Sequence, residues 1–136
     1  MAEFDLDERL QADCEVLMAT GRCSYLLHRN AAVDWFILVP HTQETELYRI
    51  DADLQQYLYT EINRVCEFIE SHFHADKINV ATLGNVVAQL HVHVIGRYHN
   101  DPYWPDPVWG QPVSRLHGDE SADEIRKVFA EFMQSG

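Results

Sequence analysis

Between Gln89 and Ile95 the chain alternates polar and apolar residues with a period of two, Gln89, His91 and His93 against Leu90, Val92 and Val94. Successive side chains of a strand point to opposite faces, so the run predicts a half-buried β-strand. Leu90, Val92 and Val94 then face the core, and an amide and two imidazoles line up on the other side. Residues 24–28 and 35–39 read as two further strands, joined by a turn over 29–34 into a hairpin and stopped by Pro40. Residues 77–81 read as a fourth strand, with Leu83-Gly84-Asn85 turning into the His-bearing run.

Other stretches carry helical spacing. Over residues 5–19, Leu6, Leu10, Cys14 and Leu17 fall on one face, and Thr20-Gly21 would end the element. Residues 53–73 carry a stripe of Leu54, Tyr57, Leu58, Ile62, Val65, Cys66 and Ile69 behind a cap at Asp51 or Asp53, and 41–52 form the loop before it. Ser121-Ala122-Asp123-Glu124 matches a capping box, predicting a final helix to about Met133 with Ile125, Val128, Phe129 and Phe132 on one face. The Pro- and Trp-rich segment after Arg97 is too apolar for a free linker and too broken by proline for regular structure. The pattern is α+β: one antiparallel sheet with helices packed against it, and residues 1–136 as a single domain.

Charge narrows the partners. A formal net charge of −12 argues against binding nucleic acid through its backbone and against adhesion to anionic membranes. A small anionic ligand remains compatible, because a few local donors hold a phosphate against an unfavourable overall field. Cys14, Cys23 and Cys66 are odd in number and widely spaced, with no Cys-x-x-Cys, so reduced thiols are expected rather than a structural zinc site. The acidic N-terminus has no apolar signal core and no run reaches the length of a membrane span, which predicts a cytoplasmic protein.

His91 and His93 then admit three chemical readings. An imidazole nucleophile for phosphoryl or nucleotidyl transfer needs a neutral ring, a partner fixing its tautomer and donors for the charged oxygens. A strand His-x-His is also half of a metal site, but it needs a third ligand from His28, His99, His117 or an Asp, and nothing in the spacing supplies one. The third reading is a nucleotide-binding module with little catalysis.

The ordered motifs resemble the histidine triad (HIT) superfamily of nucleotide hydrolases and transferases. Gln89, His91 and His93 stand where its signature has three His. Gly84-Asn85-Val86-Val87 resembles its Gly-Gln-Ser/Thr-Val, and 36–40 its apolar strand ending in Pro. The segment 101–110 resembles the Trp-Pro-x-Pro-Val-Trp-Gly tail of a bacterial HIT-hydrolase branch that commonly carries Gln first in the triad. The resemblance covers about residues 20–110.

It implies a HIT-like fold and attack on an α-phosphate, of the dinucleoside polyphosphate or nucleoside phosphoramidate type, through a nucleotidyl intermediate on His91. His93 would donate to a phosphate oxygen. Gln89 would orient His91 through its backbone carbonyl and contact phosphate through its amide. Asn85 would donate to the α-phosphate or leaving group, and Asn30 would meet the ribose unless it is an ordinary turn residue. Trp104 and Trp109 would pack near the catalytic face and help join two subunits, homodimerisation being the family habit. No cofactor is implied, though a divalent cation is compatible with a polyphosphate substrate. The chain departs from the family at Gln89, at Val86 (no hydroxyl), at Trp35 (His in many members; here an apolar wall or core residue) and in the short connection before the motif strand.

Overall fold

The computed structural model describes residues 4–135. Its centre is a five-stranded sheet in the order β1 (Cys14–Ala19), β2 (Cys23–His28), β3 (Asp34–Pro40), β5 (Val92–Arg97), β4 (Lys77–Ala81), with every neighbouring pair antiparallel. The fold is α+β. The β2–β3 hairpin forms as expected, with Leu27 opposite Phe36 and Leu26 opposite Ile37.

One face of the sheet carries the long helices α2 (Ala52–Phe68) and α3 (Asp119–Ser135). Tyr25, Leu27, Phe36, Leu38, Val92 and Val94 meet Leu58, Val65, Phe68, Ile125 and Phe129 there in one buried cluster. Asp51 caps α2, its Oδ1 accepting from Leu54 N at 2.8 Å. The helix does not run regularly to residue 73: Ile69–Phe73 widen into a π turn that His74 ends in the left-handed conformation. Gly96 allows that turn to sit on β5, since a Cβ there would lie 2.7 Å from Ile69 Cγ2.

The expected helix over 5–19 is corrected. A short helix, α1 (Glu8–Asp13), is followed directly by strand β1. The cause is burial on both faces of the strand. Residues three apart on a strand point to opposite sides. Cys14 and Leu17 are each buried, one under each face of the sheet, and so imitate a helical step; the register shift between Val16 and Met18 blurs the alternation further. The capping box is corrected as well: α3 starts at Asp119, so Ser121 lies inside its first turn and pairs with His117 Nδ1 at 3.0 Å.

The His-bearing strand differs in a way that matters for chemistry. Leu90, Val92 and Val94 do face the helices, but the strand is buried on both sides, not one. The second face is roofed by Leu6 and Leu10 from the N-terminal segment and by Tyr103, Val108 and Trp109 from the tail, over Leu26, Trp35, Ile37 and Ile95. Parallel sheets usually owe such two-sided burial to crossover helices; here the N-terminal segment and the stretch between β5 and α3 cover an antiparallel sheet instead.

Candidate active site

The roof leaves a cleft of about 510 Å³ over the second face. His28, Trp35, Ile37, His91, His93 and Trp109 form its floor and walls, and Arg9, Asp13, Asn85 and Val86 also line it. His93 belongs to β5 and pairs with Ile37 in register, while Trp35 pairs with Ile95. Trp35 and His93 are thus diagonal neighbours on one face, within reach for a long aromatic side chain. His28 ends β2 and stacks flat on Trp35, with centroids 4.0 Å apart at 11°. His91 precedes β5 and lies 4.9 Å, centroid to centroid, from His93. Both are nearly covered, at 5% and 7% exposure.

The hydrogen bonds assign each ring a tautomer. His91 Nδ1 lies 2.6 Å from the backbone carbonyl of Gln89. A carbonyl only accepts, so Nδ1 carries the proton and Nε2 keeps a bare lone pair. His93 is the reverse. Trp35 Nε1–H donates to its Nδ1 at 3.0 Å, and an indole N–H only donates, so the His93 proton sits on Nε2. His28 Nδ1 likewise accepts from Asn30 N at 3.0 Å, leaving its proton on Nε2. Burial lowers His93 to about 3, helped by the neighbouring His91 and His28, and lowers His28 to about 4. Both are neutral donors at neutral pH. Cys14 lines the same cleft, but burial pushes its thiol up to about 12, so it supplies no thiolate.

Of the residues anticipated from sequence, His91, His93 and Asn85 share the cleft. Gln89 orients His91 through its carbonyl, but its side chain is turned to another task. Oε1 accepts from Asp7 N and Nε2 donates to the carbonyl of Asp5, both at 2.8 Å. The amide anticipated at the phosphate instead pins the N-terminal segment over the sheet. Arg9 adds a second tie, donating to the carbonyl of Val86 at 2.7 Å.

Asn30 is not in the cleft. It is 2% exposed, with Nδ2 donating to Tyr103 Oη and Oδ1 accepting from Ala32 N, which makes it a turn residue braced by the tail. Trp104 is not there either. It packs edge-on against His99 at 4.7 Å and beneath the Arg97 guanidinium, while Trp109 reaches His93 at 5.2 Å. The Asp101 carboxylate explains the division, because its bonds to Tyr103 N and Trp104 N turn the chain so that only the later Trp covers the cleft.

Sequence reasoning gave no cleft role to His28, Arg9 or Asp13. His28 was visible only as a metal-ligand option, and Arg9 and Asp13 carried no signal inside a misread helix. Among the described residues no three His, Cys, Asp or Glu side chains come together as a metal-binding group.

The HIT-domain family model matches residues 9–100. Over 98% of both chains, the protein is 38% identical to a histidine triad protein from Marinobacter aquaeolei, with a TM-score of 0.91. A histidine triad (HIT) protein from Sinorhizobium meliloti is also 38% identical over 96% of both chains, with a TM-score of 0.86. A diadenosine triphosphate hydrolase from Plasmodium falciparum shares the fold at 13% identity, over 96% of this chain and 80% of that one, with a TM-score of 0.59. No functionally curated protein is significantly similar to the chain. The chain belongs to the histidine triad family.

Proposed function

We propose that the protein is a nucleotide phosphohydrolase or nucleotidyl transferase acting at an α-phosphate through a nucleotidyl intermediate on His91. The observation that carries this reading is the opposite hydrogen-bonding state of the two adjacent imidazoles, His91 with a bare Nε2 and His93 with a protonated one. His91 Nε2 attacks phosphorus, a P–N bond forms and the bond to the leaving group breaks. The charge developing on Nδ1–H is stabilised by the Gln89 carbonyl. His93 Nε2–H donates to a non-bridging oxygen, and Arg9 and Asn85 stand along the same cleft for the remaining phosphate oxygens. Water then attacks phosphorus, the P–N bond breaks, and the proton leaves with solvent. An acceptor alcohol or phosphate in place of water makes the second step a transfer.

The departures favour one leaving-group class. Gln89 does not titrate and its amide is engaged with the N-terminal segment, and Val86 offers no hydroxyl. A leaving group that needs no proton, such as a polyphosphate, therefore suits the site better than an amine. Purified protein given a dinucleoside polyphosphate and a nucleoside phosphoramidate should turn over the first at least about tenfold faster, with radiolabel from the α-phosphate trapped on His91 in a single turnover. Preference for the amine, or label on no residue, refutes the corresponding half of the reading.

We also propose a cytoplasmic homodimer. Among the described residues no helix is long and apolar enough to cross a membrane. The tail's Tyr103 and Val108 are buried on their own sheet, which leaves the tail less free surface for a second copy than the sheet's far edge. The surface that suits a second copy is this unpaired edge of β4 and the adjoining groove of about 1060 Å³, where Leu47, Tyr48, Tyr59, Val80 and Leu83 are exposed. Tyr59→Asp should shift sedimentation towards monomer; a wild-type monomer at high concentration removes the proposal.

A further inference from the structure

Trp35 stands where many members of the family carry a further His, and its place in the cleft gives it a task besides filling space. We propose that Trp35 is a positioning residue: its indole N–H holds His93 in the single tautomer that presents Nε2–H to the phosphate and denies Nδ1 to any second proton.

Three contacts support this. The indole donates to His93 Nδ1 at 3.0 Å, and both residues are buried. The indole plane is itself fixed, stacked on His28 on one side and met edge-on by Trp109 at 6.2 Å and 85°. His28 cannot rotate freely in turn, because its Nδ1 accepts from Asn30 N. The orientation of the donor thus descends from the backbone of the β2–β3 turn through two stacked rings.

The chemistry explains why such a lock is useful. A neutral imidazole in an unbiased site exchanges between two tautomers and, near neutral pH, also takes a second proton. Either change would alter what His93 presents to a phosphate beside the nucleophile. With an N–H already aimed at Nδ1, protonation there would set two donors head to head in a water-poor site. The titratable and charged groups sharing the cleft are His28 at the end of β2, His91 before β5, Cys14 on β1, and Arg9 and Asp13 of α1. Burial first, and then the two neighbouring imidazoles, His91 and His28, oppose the protonation of His93. His93 therefore works as a fixed donor and not as an acid–base group.

This inference rests on the reading of His91 and His93 as the reacting pair, but half of its test does not need turnover. In unliganded wild-type protein, long-range proton–nitrogen correlation spectra of the imidazoles should show His93 with an unprotonated Nδ1 and a protonated Nε2, unchanged down to about pH 5. Trp35→Phe keeps an aromatic ring to stack on His28 and removes only the donor. Its His93 should show mixed tautomers and begin to titrate within the accessible range. With a dinucleoside polyphosphate the variant should lose about tenfold in kcat, keep KM within about twofold and gain an acidic limb in its pH–rate profile. Trp35→His, which restores a ring N–H, should recover part of the rate.

A wild-type His93 protonated on Nδ1, or one titrating near its ordinary value, overturns the proposal whether or not Trp35→Phe folds. So does a Trp35→Phe variant with an unchanged His93 spectrum. The locked spectrum in a protein that turns over no nucleotide would uphold the lock and refute the proposed function.

Discussion

His91→Ala is expected to lower turnover of a dinucleoside polyphosphate by about three orders of magnitude or more, with nucleotide affinity changed far less. Removing a nucleophile deletes the covalent route itself, and residues of this kind cost far more than one hydrogen bond when lost. The residual rate would come from cleft groups that remain, His93 and Arg9, acting on direct attack by water. The fold should survive with a modest loss. The ring is 5% exposed and its Nδ1–H···O bond to Gln89 disappears, so a penalty of about 1–3 kcal/mol is expected, small against a core in which α2 and α3 are untouched. Thermal melting and single-turnover kinetics on the same preparation separate the two effects. A folded variant with near wild-type turnover would show that another group attacks phosphorus. His93→Ala provides the contrast: it removes a donor, not the nucleophile, and should still form a slow labelled intermediate on His91.

The face shared by His91 and His93 was legible because a strand has a period of two, and the pairing of β5 with both its neighbours runs without a register shift. Lys77–Ala81 was legible for the same reason, being short and bounded by turn residues. Cys14–Ala19 was not, because it is buried on both faces, so Cys14 and Leu17 are both apolar at a three-residue step that reads as helix, and a bulge after Val16 disturbs the alternation. The roles of the two imidazoles lie at a level that spacing does not reach. His91 takes its tautomer from a carbonyl two residues away, a contact the family resemblance implies. His93 takes the opposite one from Trp35 on another strand, 58 residues away in sequence. Asn30 and Trp104 show the limit of carrying a position over from a resemblance. Each lies near the expected place in the chain, but Tyr103 captures one and Arg97 the other before either reaches the cleft. Gln89 combines both lessons: its backbone does what the pattern suggests, and its side chain serves a segment that the helix misreading had hidden.

Asp101→Ala is expected to be the most destabilising single change in the tail, and to weaken nucleotide binding from a distance. The Arg97–Asp101 pair is buried, with side chains 2% and 1% exposed, and bonded at 2.8 Å through Nε and 3.1 Å through Nη2. Arg97 also donates to Asn79 on β4. Truncating Asp101 leaves a guanidinium buried without its counter-charge, which typically costs about 3–5 kcal/mol. It also frees the backbone N–H groups of Tyr98, Tyr103 and Trp104, which now point at the carboxylate. Those bonds form the turn that carries Trp109 back over His93, so losing them loosens one wall of the cleft.

The same carboxylate sets an acid limit. Burial alone would raise its pKa, but Arg97 and the surrounding N–H groups outweigh that and hold it at about 2, below the ordinary value of 3.8. A depressed carboxylate stabilises the fold fully above its unfolded pKa, and the contribution is lost as pH falls through the folded one. Wild-type protein should therefore lose this increment between about pH 4 and 2, and Asp101→Ala should show no corresponding step. Adding Arg97→Met to Asp101→Ala removes the orphaned charge but not the orphaned N–H groups. The double variant should recover part of the melting temperature while nucleotide affinity stays low. If it recovers neither, the loss lies in the turn rather than the charge; if Asp101→Ala melts like wild type, the ion pair does not hold the tail.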